Sequence, residues 1–100
     1  MQSDKAMNDP AAIQVIVYGR VQGVFFRAFV SRQTTELGLT GYVCNLRSGN
    51  AVEVYAEGKR NKLEKLIDYL KTGPPLARVE KLVTTWSEYS GNYSHFEIRY

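Results

Sequence analysis

The chain has 100 residues, of which 44% are hydrophobic and 23% are charged. These proportions and this length are typical of one globular domain, so they exclude a disordered chain, a collagen-like repeat and a coiled coil. The formal net charge is +3, from 13 Lys+Arg against 10 Asp+Glu, with both signs interspersed along the sequence. Such a small excess does not predict the basic stripe of a nucleic-acid-binding protein, and it suits a small anionic ligand. No apolar run approaches the ~18 residues that a membrane span requires.

Cysteine and histidine each occur once, as Cys44 and His95. A single cysteine cannot form an intrachain disulfide, and the first residues lack the apolar segment of a signal peptide, so we expect a cytoplasmic protein. A zinc site uses three or four Cys, His or carboxylate ligands. We therefore expect no protein-built metal site and no cofactor.

The first half of the sequence predicts, in order, a tail, a strand, a loop, a helix and a hairpin. Residues 1–12 show no hydrophobic periodicity, which is typical of a flexible tail, whereas residues 13–18 are β-branched and apolar and predict a buried strand. Residues 19–24 hold two glycines and predict a loop. Residues 39–46 and 51–57 predict the two strands of the hairpin. The helix before them is indicated by apolar residues on one face and a closing glycine: Phe26, Phe29, Val30, Leu37 and Gly38.

The second half predicts one more helix and two more strands. Asn61 followed by Glu64 is typical of a helix N-terminus, and the Gly-Pro-Pro segment at 73–75 ends that helix. Residues 78–87 and 95–100 predict strands. The order is then βαββαβ plus a short C-terminal strand. Because two helices must cover their apolar faces and one sheet is available, we expect an α+β, ferredoxin-like two-layer sandwich. Its sheet is expected to be antiparallel, with both helices on one face and the first strand beside the third.

The nine-residue string GRVQGVFFR, from Gly19 to Arg27, carries the most chemical content. Glycines let a loop turn several backbone N–H groups toward one point, and the following helix adds its free N–H groups and positive dipole end. Arg27 lies in the first turn of that helix, where its charge opposes the dipole unless an anion is bound beside it. The string therefore indicates an anion site, and the alternative is an ordinary loop with a solvent-facing arginine.

This string, followed by GYVCNLRSGNAVEVYAEG and then by GPPLARVE, resembles the acylphosphatase family. The resemblance implies an acylphosphatase-like domain over residues 13–100 that hydrolyses the carboxyl–phosphate bond of acyl phosphates without a metal. It also implies that Arg27 and the loop bind the phosphoryl group, and that Asn45 orients the attacking water. The predicted phosphate-binding residues of the loop are Gly19, Arg20, Val21, Gln22, Gly23, Val24, Phe25 and Phe26.

The resemblance also sets the expected partners, which are an acyl phosphate as substrate and inorganic phosphate as product and competitive inhibitor. We expect a monomer that binds neither nucleic acid nor membrane. The competing interpretations are an RNA-binding module of the same fold, or a small-anion-binding regulatory module without turnover. Tyr18 and Tyr55 lie on the first and third strands, where RNA-binding modules place stacking aromatics. The third strand lacks the signature of such modules and carries two glutamates, which disfavours RNA.

The chemistry needs no general acid, because the carboxylate that leaves an acyl phosphate is stable without protonation. The lone Cys44 and His95 are therefore expected to have other roles. Strand alternation places Cys44 on the opposite sheet face from Asn45, where we expect a buried and inert thiol. His95 is expected to be solvent-facing or structural.

Overall fold

The computed structural model describes residues 9–100, and the elements in that range follow the predicted order, βαββαβ with a terminal strand. The elements are β1 (Pro10–Arg20), α1 (Phe26–Leu37), β2 (Thr40–Asn45), β3 (Ala51–Lys59), α2 (Arg60–Thr72), β4 (Arg78–Ser87) and β5 (Phe96–Arg99).

The strands form one five-stranded sheet in the order β4-β1-β3-β2-β5. The predicted pairing of the first strand with the third is confirmed, and β1, β2, β3 and β4 pair antiparallel. The predicted short C-terminal strand, β5, joins this antiparallel sheet beside β2 and runs parallel to it, because the chain crosses from β4 to the opposite edge. As a result, β1, β2 and β5 end at the same edge of the sheet, where β3 and β4 begin.

Both helices cover the same face of the sheet, as predicted. Alternate residues of the central strands, including Ile13, Val15 and Val54, form one buried cluster with side chains from both helices. The helical contributors at the centre of that cluster are Phe26, Val30, Leu63, Leu66 and Leu70. Neither helix of residues 9–100 covers the opposite face of the sheet, where Gln14, Tyr42, Glu53 and Tyr55 lie.

The first strand is longer at both ends than the sequence predicts. It begins at Pro10, which pairs with Lys59, so the prediction of a tail through residue 12 is wrong for residues 10–12. The rest of the predicted tail, residues 1–8, lies outside the described residues. At its other end the strand continues through a register shift into Gly19 and Arg20. A Cβ at Gly19 would overlap the carbonyl oxygen of Arg78 on β4, so this close pairing requires glycine.

The second helix begins one residue before the predicted cap. Its N-cap is Lys59, which is in extended conformation at the end of β3 and makes no side-chain capping hydrogen bond. Asn61 lies inside the helix instead, and its Oδ1 atom is buried without a hydrogen-bond partner among residues 9–100. The strand runs directly into the helix, so the geometry of β3 sets the helix start and the capping signal at Asn61 does not.

Candidate active site

A cavity of about 290 Å³ opens at the sheet edge where β1, β2 and β5 end. Its lining residues are Val21, Gly23, Phe25, Phe26, Arg27, Ala28, Asn45, Ile98 and Tyr100. The structure thus brings Arg27 and Asn45 together with the loop between β1 and α1, as the sequence predicts. Sequence reasoning missed Ile98 and Tyr100, which reach the cavity through the parallel pairing of β5 with β2.

The loop that joins β1 to α1 spans residues 21–25 and presents unpaired backbone N–H groups. No group among residues 9–100 accepts a hydrogen bond from the N–H of Gln22, Gly23, Val24 or Phe25. Phe25 is the N-cap of α1 and provides no side-chain cap, and the first turn of the helix holds no acidic residue. Free N–H groups at an uncapped helix N-terminus form an anion-binding site.

The predicted phosphate-binding string is longer than the loop itself. Gly19 and Arg20 belong to β1, and the N–H of Gly19 is occupied by a hydrogen bond to the carbonyl oxygen of Asn50, at 2.9 Å. The side chains of Val21 and Val24 are buried in the core, so they fix the loop to the core. Gly19 and Arg20 therefore differ from residues 21–25, because their backbone is paired within the sheet.

Gln22 ties this loop to the β2–β3 hairpin. Its side-chain Nε2 donates to the carbonyl oxygen of Leu46 at 2.7 Å and to that of Ala51 at 2.9 Å. These two residues flank the hairpin turn, and Leu46 directly follows Asn45. The sequence does not predict this role, because no pattern distinguishes Gln22 from a polar loop residue that has no such partners.

Arg27 is held at the cavity by the end of β5. Its Nη1 donates to the carbonyl oxygen of Arg99 at 3.3 Å, and its guanidinium carbon lies 4.6 Å from the centroid of the Tyr100 ring. No carboxylate among residues 9–100 forms a salt bridge with it. A carbonyl and a ring face orient a guanidinium without cancelling its charge, so Arg27 remains available to an anion.

Asn45 is the last residue of β2 and lines the cavity. Its Oδ1 atom is buried and accepts no hydrogen bond from the described residues. A buried acceptor without a donor costs roughly 1–3 kcal/mol, so this atom favours a donor from solvent or substrate. The amide is neutral, and it therefore does not repel an anion bound beside Arg27.

Cys44 lies on the opposite face of the sheet from Asn45, as predicted. Its thiol lies 3.6 Å from Oε1 of Glu53, and burial together with the charge of Glu53 raises the pKa of the thiol. The prediction of a buried thiol is wrong: the Cys44 side chain is half-buried, because neither helix of residues 9–100 covers this face. His95 is exposed, as predicted, and lies 3.7 Å from a carboxylate oxygen of Glu97.

The tyrosines that an RNA-binding module would use are engaged within the protein. Tyr55 stacks on Tyr42, with ring centroids 5.8 Å apart, and donates its hydroxyl proton to Glu57 at 2.6 Å. Nζ of Lys81 lies 4.9 Å from the ring centroid of Tyr18.

Within residues 9–100, no cluster of three His, Cys, Asp or Glu side chains is arranged to bind a metal ion. In the same range, no helix has the length and apolar content needed to span a membrane.

The comparisons with known proteins agree with this geometry. The acylphosphatase family model matches residues 13–98. An acylphosphatase of Dehalococcoides mccartyi strain CBDB1 is 47% identical over 88 residues, which cover 88% of this chain and 97% of the relative.

Two solved structures have the same fold. The acylphosphatase of Coxiella burnetii superposes with a TM-score of 0.85 at 41% identity, covering 91% of this chain and 94% of that one. The acylphosphatase of Bacillus subtilis gives a TM-score of 0.86 at 37% identity, covering 90% and 99%. These similarities support the hydrolase interpretation and not the RNA-binding or regulatory alternatives. The chain therefore belongs to the acylphosphatase family and is a hydrolase that acts on acyl phosphates.

Proposed function

We propose that the phosphoryl group of the substrate binds between the 21–25 loop and Arg27, and that Asn45 orients the water that attacks phosphorus. The observation that carries this proposal is the position of Arg27, which has no carboxylate partner among residues 9–100, beside an uncapped helix N-terminus with free N–H groups. An anion bound there satisfies the N–H groups and removes the conflict between the arginine and the helix dipole.

In the proposed reaction, the water oxygen forms a bond to phosphorus while the bond from phosphorus to the carboxylate oxygen breaks. The carboxylate leaves with the bonding electron pair, and a phosphoryl oxygen takes the proton of the water. Phosphoryl transfer depends mainly on positioning and on stabilising charge at the equatorial oxygens. The planar guanidinium of Arg27 offers paired donors matched to those oxygens, and the loop N–H groups offer more.

Asn45 suits the water-orienting role because it combines an acceptor and a donor without charge. Its Oδ1 accepts from the attacking water, and its Nδ2 donates to a phosphoryl oxygen. A carboxylate in the same place would repel the substrate.

We further propose that turnover needs no metal, because Arg27 and the loop N–H groups supply the positive charge that a metal would otherwise provide. Inorganic phosphate, the product, is then a competitive inhibitor, since it fits the same groups. Because the charges of the protein are interspersed along the sequence, we propose that it does not bind nucleic acid. Its single cysteine suits a reducing compartment, so we also propose a cytoplasmic protein. We propose, in addition, that it is a monomer that does not bind membranes.

Hydrolysis of benzoyl phosphate, followed by ultraviolet absorbance after exhaustive EDTA treatment, tests this proposal. We expect full turnover by the native chain, and a loss of most activity in Arg27→Lys with the fold unchanged. A lysine keeps the charge but cannot reproduce the paired donors. Loss of turnover on chelation that Mg²⁺ restores would contradict the metal-free mechanism, and full activity in Arg27→Lys would place the phosphate elsewhere.

A further inference from the structure

Three exposed arginines lie around the cavity without lining it. Arg20 is the last residue of β1 and directly precedes the 21–25 loop. Arg47 is in the turn of the β2–β3 hairpin, two residues after Asn45. Arg78 is the first residue of β4, and none of the three arginines forms a salt bridge among residues 9–100. We call these three residues the arginine rim.

The arginine rim lies close enough to the proposed phosphate site for its charge to act there. Consecutive Cα atoms are about 3.8 Å apart, so the Cα atom of Arg20 lies within about 8 Å of that of Gln22 in the loop. The same bound applies to the Cα atoms of Arg47 and Asn45. Arg78 is the direct cross-strand partner of Arg20, which places their Cα atoms about 5 Å apart. These separations are comparable with the ~8 Å over which physiological salt screens a charge.

The pairing of Arg20 with Arg78 works against the stability of the sheet. Side chains of directly opposite residues project from the same face of a sheet, and like charges in these positions are destabilising. A neighbouring carboxylate would offset this repulsion, but neither guanidinium has one within salt-bridge distance among residues 9–100. The two charges therefore do not serve the fold, whereas they attract an anion that approaches this edge.

The carboxylates at the same sheet edge do not balance its arginines. The edge comprises the last three residues of β1, β2 and β5, the first three of β3 and β4, the adjoining loops and the first turn of α1. Five arginines and three glutamates lie there, namely Arg20, Arg27, Arg47, Arg78 and Arg99 with Glu53, Glu80 and Glu97. Among these residues one salt bridge forms, between Arg99 and Glu97 at 2.7 Å. The side chains around the cavity therefore keep an excess of positive charge.

We propose that the arginine rim attracts the phosphate dianion of the substrate toward the cavity and raises kcat/KM without touching the reacting atoms. This inference rests on the proposed function, because it takes the phosphoryl group to bind between the 21–25 loop and Arg27. A cleft surrounded by one sign of charge raises the association rate and the local concentration of an oppositely charged ligand. Salt weakens such attraction through solvent, whereas it weakens a direct, partly buried contact much less.

The test measures kcat and KM for benzoyl phosphate at increasing concentrations of NaCl. The variants Arg20→Gln/Arg78→Gln and Arg47→Gln remove the charges but keep polar side chains. For a dianion about 10 Å away, we expect kcat/KM to fall about threefold per arginine at 0.01 M ionic strength, through KM and not through kcat. At 0.5 M, where the screening length is roughly 4 Å, each variant should be within about 1.5-fold of the native chain. The melting temperature of Arg20→Gln/Arg78→Gln should not fall, because the substitutions remove a repulsion.

Two further variants serve as controls. Arg20→Lys/Arg78→Lys keeps both charges and should keep kcat/KM and its dependence on salt, since attraction at a distance does not need paired donors. Lys59→Gln removes one positive charge at the other end of β3, where Lys59 is exposed. At about 3.3 Å per residue, Lys59 lies roughly 26 Å along the strand from Ala51. We therefore expect Lys59→Gln to change kcat/KM by less than about 1.5-fold at every salt concentration.

The outcomes separate this inference from the proposed function. If the native chain does not hydrolyse benzoyl phosphate, the proposed function is wrong and the arginine rim has no such substrate to attract. If it does, and kcat/KM has the same salt dependence in the native chain and the glutamine variants, the role of the arginine rim is overturned while the function stands. A loss that persists at 0.5 M, or that falls on kcat, would overturn it in favour of direct contact with the substrate. An equal loss in Lys59→Gln would overturn it in favour of net charge alone.

Discussion

The side-chain Nε2 of Gln22 lies 2.7 Å from the carbonyl oxygen of Leu46 and donates a hydrogen bond to it. This contact fixes the 21–25 loop, where we propose that the phosphoryl group binds, against the strand end that carries Asn45. The proposed phosphate-binding loop and the proposed water-orienting residue are therefore joined by one side chain that need not touch the substrate.

Replacing Gln22 with Met, which has a similar length but no donor, should lower both stability and turnover. The carbonyl oxygens of Leu46 and Ala51 each lose one donor but keep a backbone N–H, that of Gly49 and that of Leu46 respectively. The loss is therefore that of two net hydrogen bonds, at roughly 0.5–1.5 kcal/mol each. We expect a lower melting temperature and a kcat reduced by about tenfold through misplacement of the water relative to phosphorus. Gln14→Met is the matched control, because Gln14 is exposed and its Nε2 donates to the half-buried carboxylate of Glu53 and not to the hairpin turn. Equal kcat values for the native chain and Gln22→Met would show that the loop keeps its position without this tie.

Asn45→Ala should separate chemistry from binding. Orientation of water in line with phosphorus matters mainly in the transition state, so we expect kcat to fall by ~10²-fold or more. The inhibition constant of inorganic phosphate should stay within a few-fold, because Arg27 and the loop are intact. Asn45→Asp should be no better, since its charge opposes the incoming anion. Near-native turnover in Asn45→Ala would rule out the water-orienting role, and parallel losses in kcat and phosphate affinity would assign Asn45 to binding.

We expect the folded protein to lose stability in acid because of Glu57. Its side chain is 1% exposed and accepts hydrogen bonds from the backbone N–H and hydroxyl of Ser90, the hydroxyl of Tyr55 and the N–H of Gly91. Burial alone would raise the pKa of this carboxyl, but these hydrogen bonds outweigh burial and lower the pKa from its ordinary value. The carboxylate therefore stabilises the folded state fully above the unfolded pKa of about 4.3, and this contribution is lost as pH falls through the folded pKa.

Melting temperatures measured from neutral pH downward test this prediction. Glu57→Gln should melt well below the native chain at neutral pH, and the difference should shrink below about pH 4, where the native carboxyl also becomes neutral. Glu64→Gln, on the exposed face of α2, is the matched control and should show little difference at any pH. A gap between Glu57→Gln and the native chain that does not change with pH would assign the effect to packing.

Tyr42 and Tyr55, on the sheet face opposite the helices, should resist ionisation. Burial and the carboxylate of Glu53 raise the pKa of Tyr42 to about 12, and burial and the carboxylate of Glu57 do the same for Tyr55. In an alkaline ultraviolet titration, the native chain should therefore show tyrosine ionisation above about pH 11, well above the ordinary value of about 10. Tyr42→Phe should remove part of this late absorbance change, and a titration curve that is the same in both proteins would contradict the assignment.

The sequence predicts the parts of this fold that depend on local pattern. The apolar face of α1, its closing glycine and the glycine-rich string before it are local signals, and the structure agrees with each. The β1–β3 pairing follows from general rules of chain crossover, and it places Asn45 near the loop. The beginning of β1 lacks such a signal. Pro10 and the two alanines after it belong to the strand, but proline and alanine are not typical strand residues.

The remaining parts of the site depend on contacts between distant segments. No local sequence pattern predicts that β5 pairs with the edge of β2 in a parallel direction. The sequence therefore could not assign Ile98, Tyr100 and the carbonyl of Arg99 to the cavity. The role of Gln22 is similar, because its acceptors are backbone atoms of a hairpin more than twenty residues away. Every residue type has a backbone carbonyl oxygen, so the sequence does not show which of them accepts a hydrogen bond.

The parallel pairing of β5 with β2 makes the active site depend on a segment far from Arg27 in the chain. Phe96 and Ile98 of β5 pack against the core, and the carbonyl of Arg99 accepts a hydrogen bond from the guanidinium of Arg27. In a refolding experiment, burial of the core and recovery of turnover therefore report partly different contacts, because turnover also needs β5 in its place beside β2.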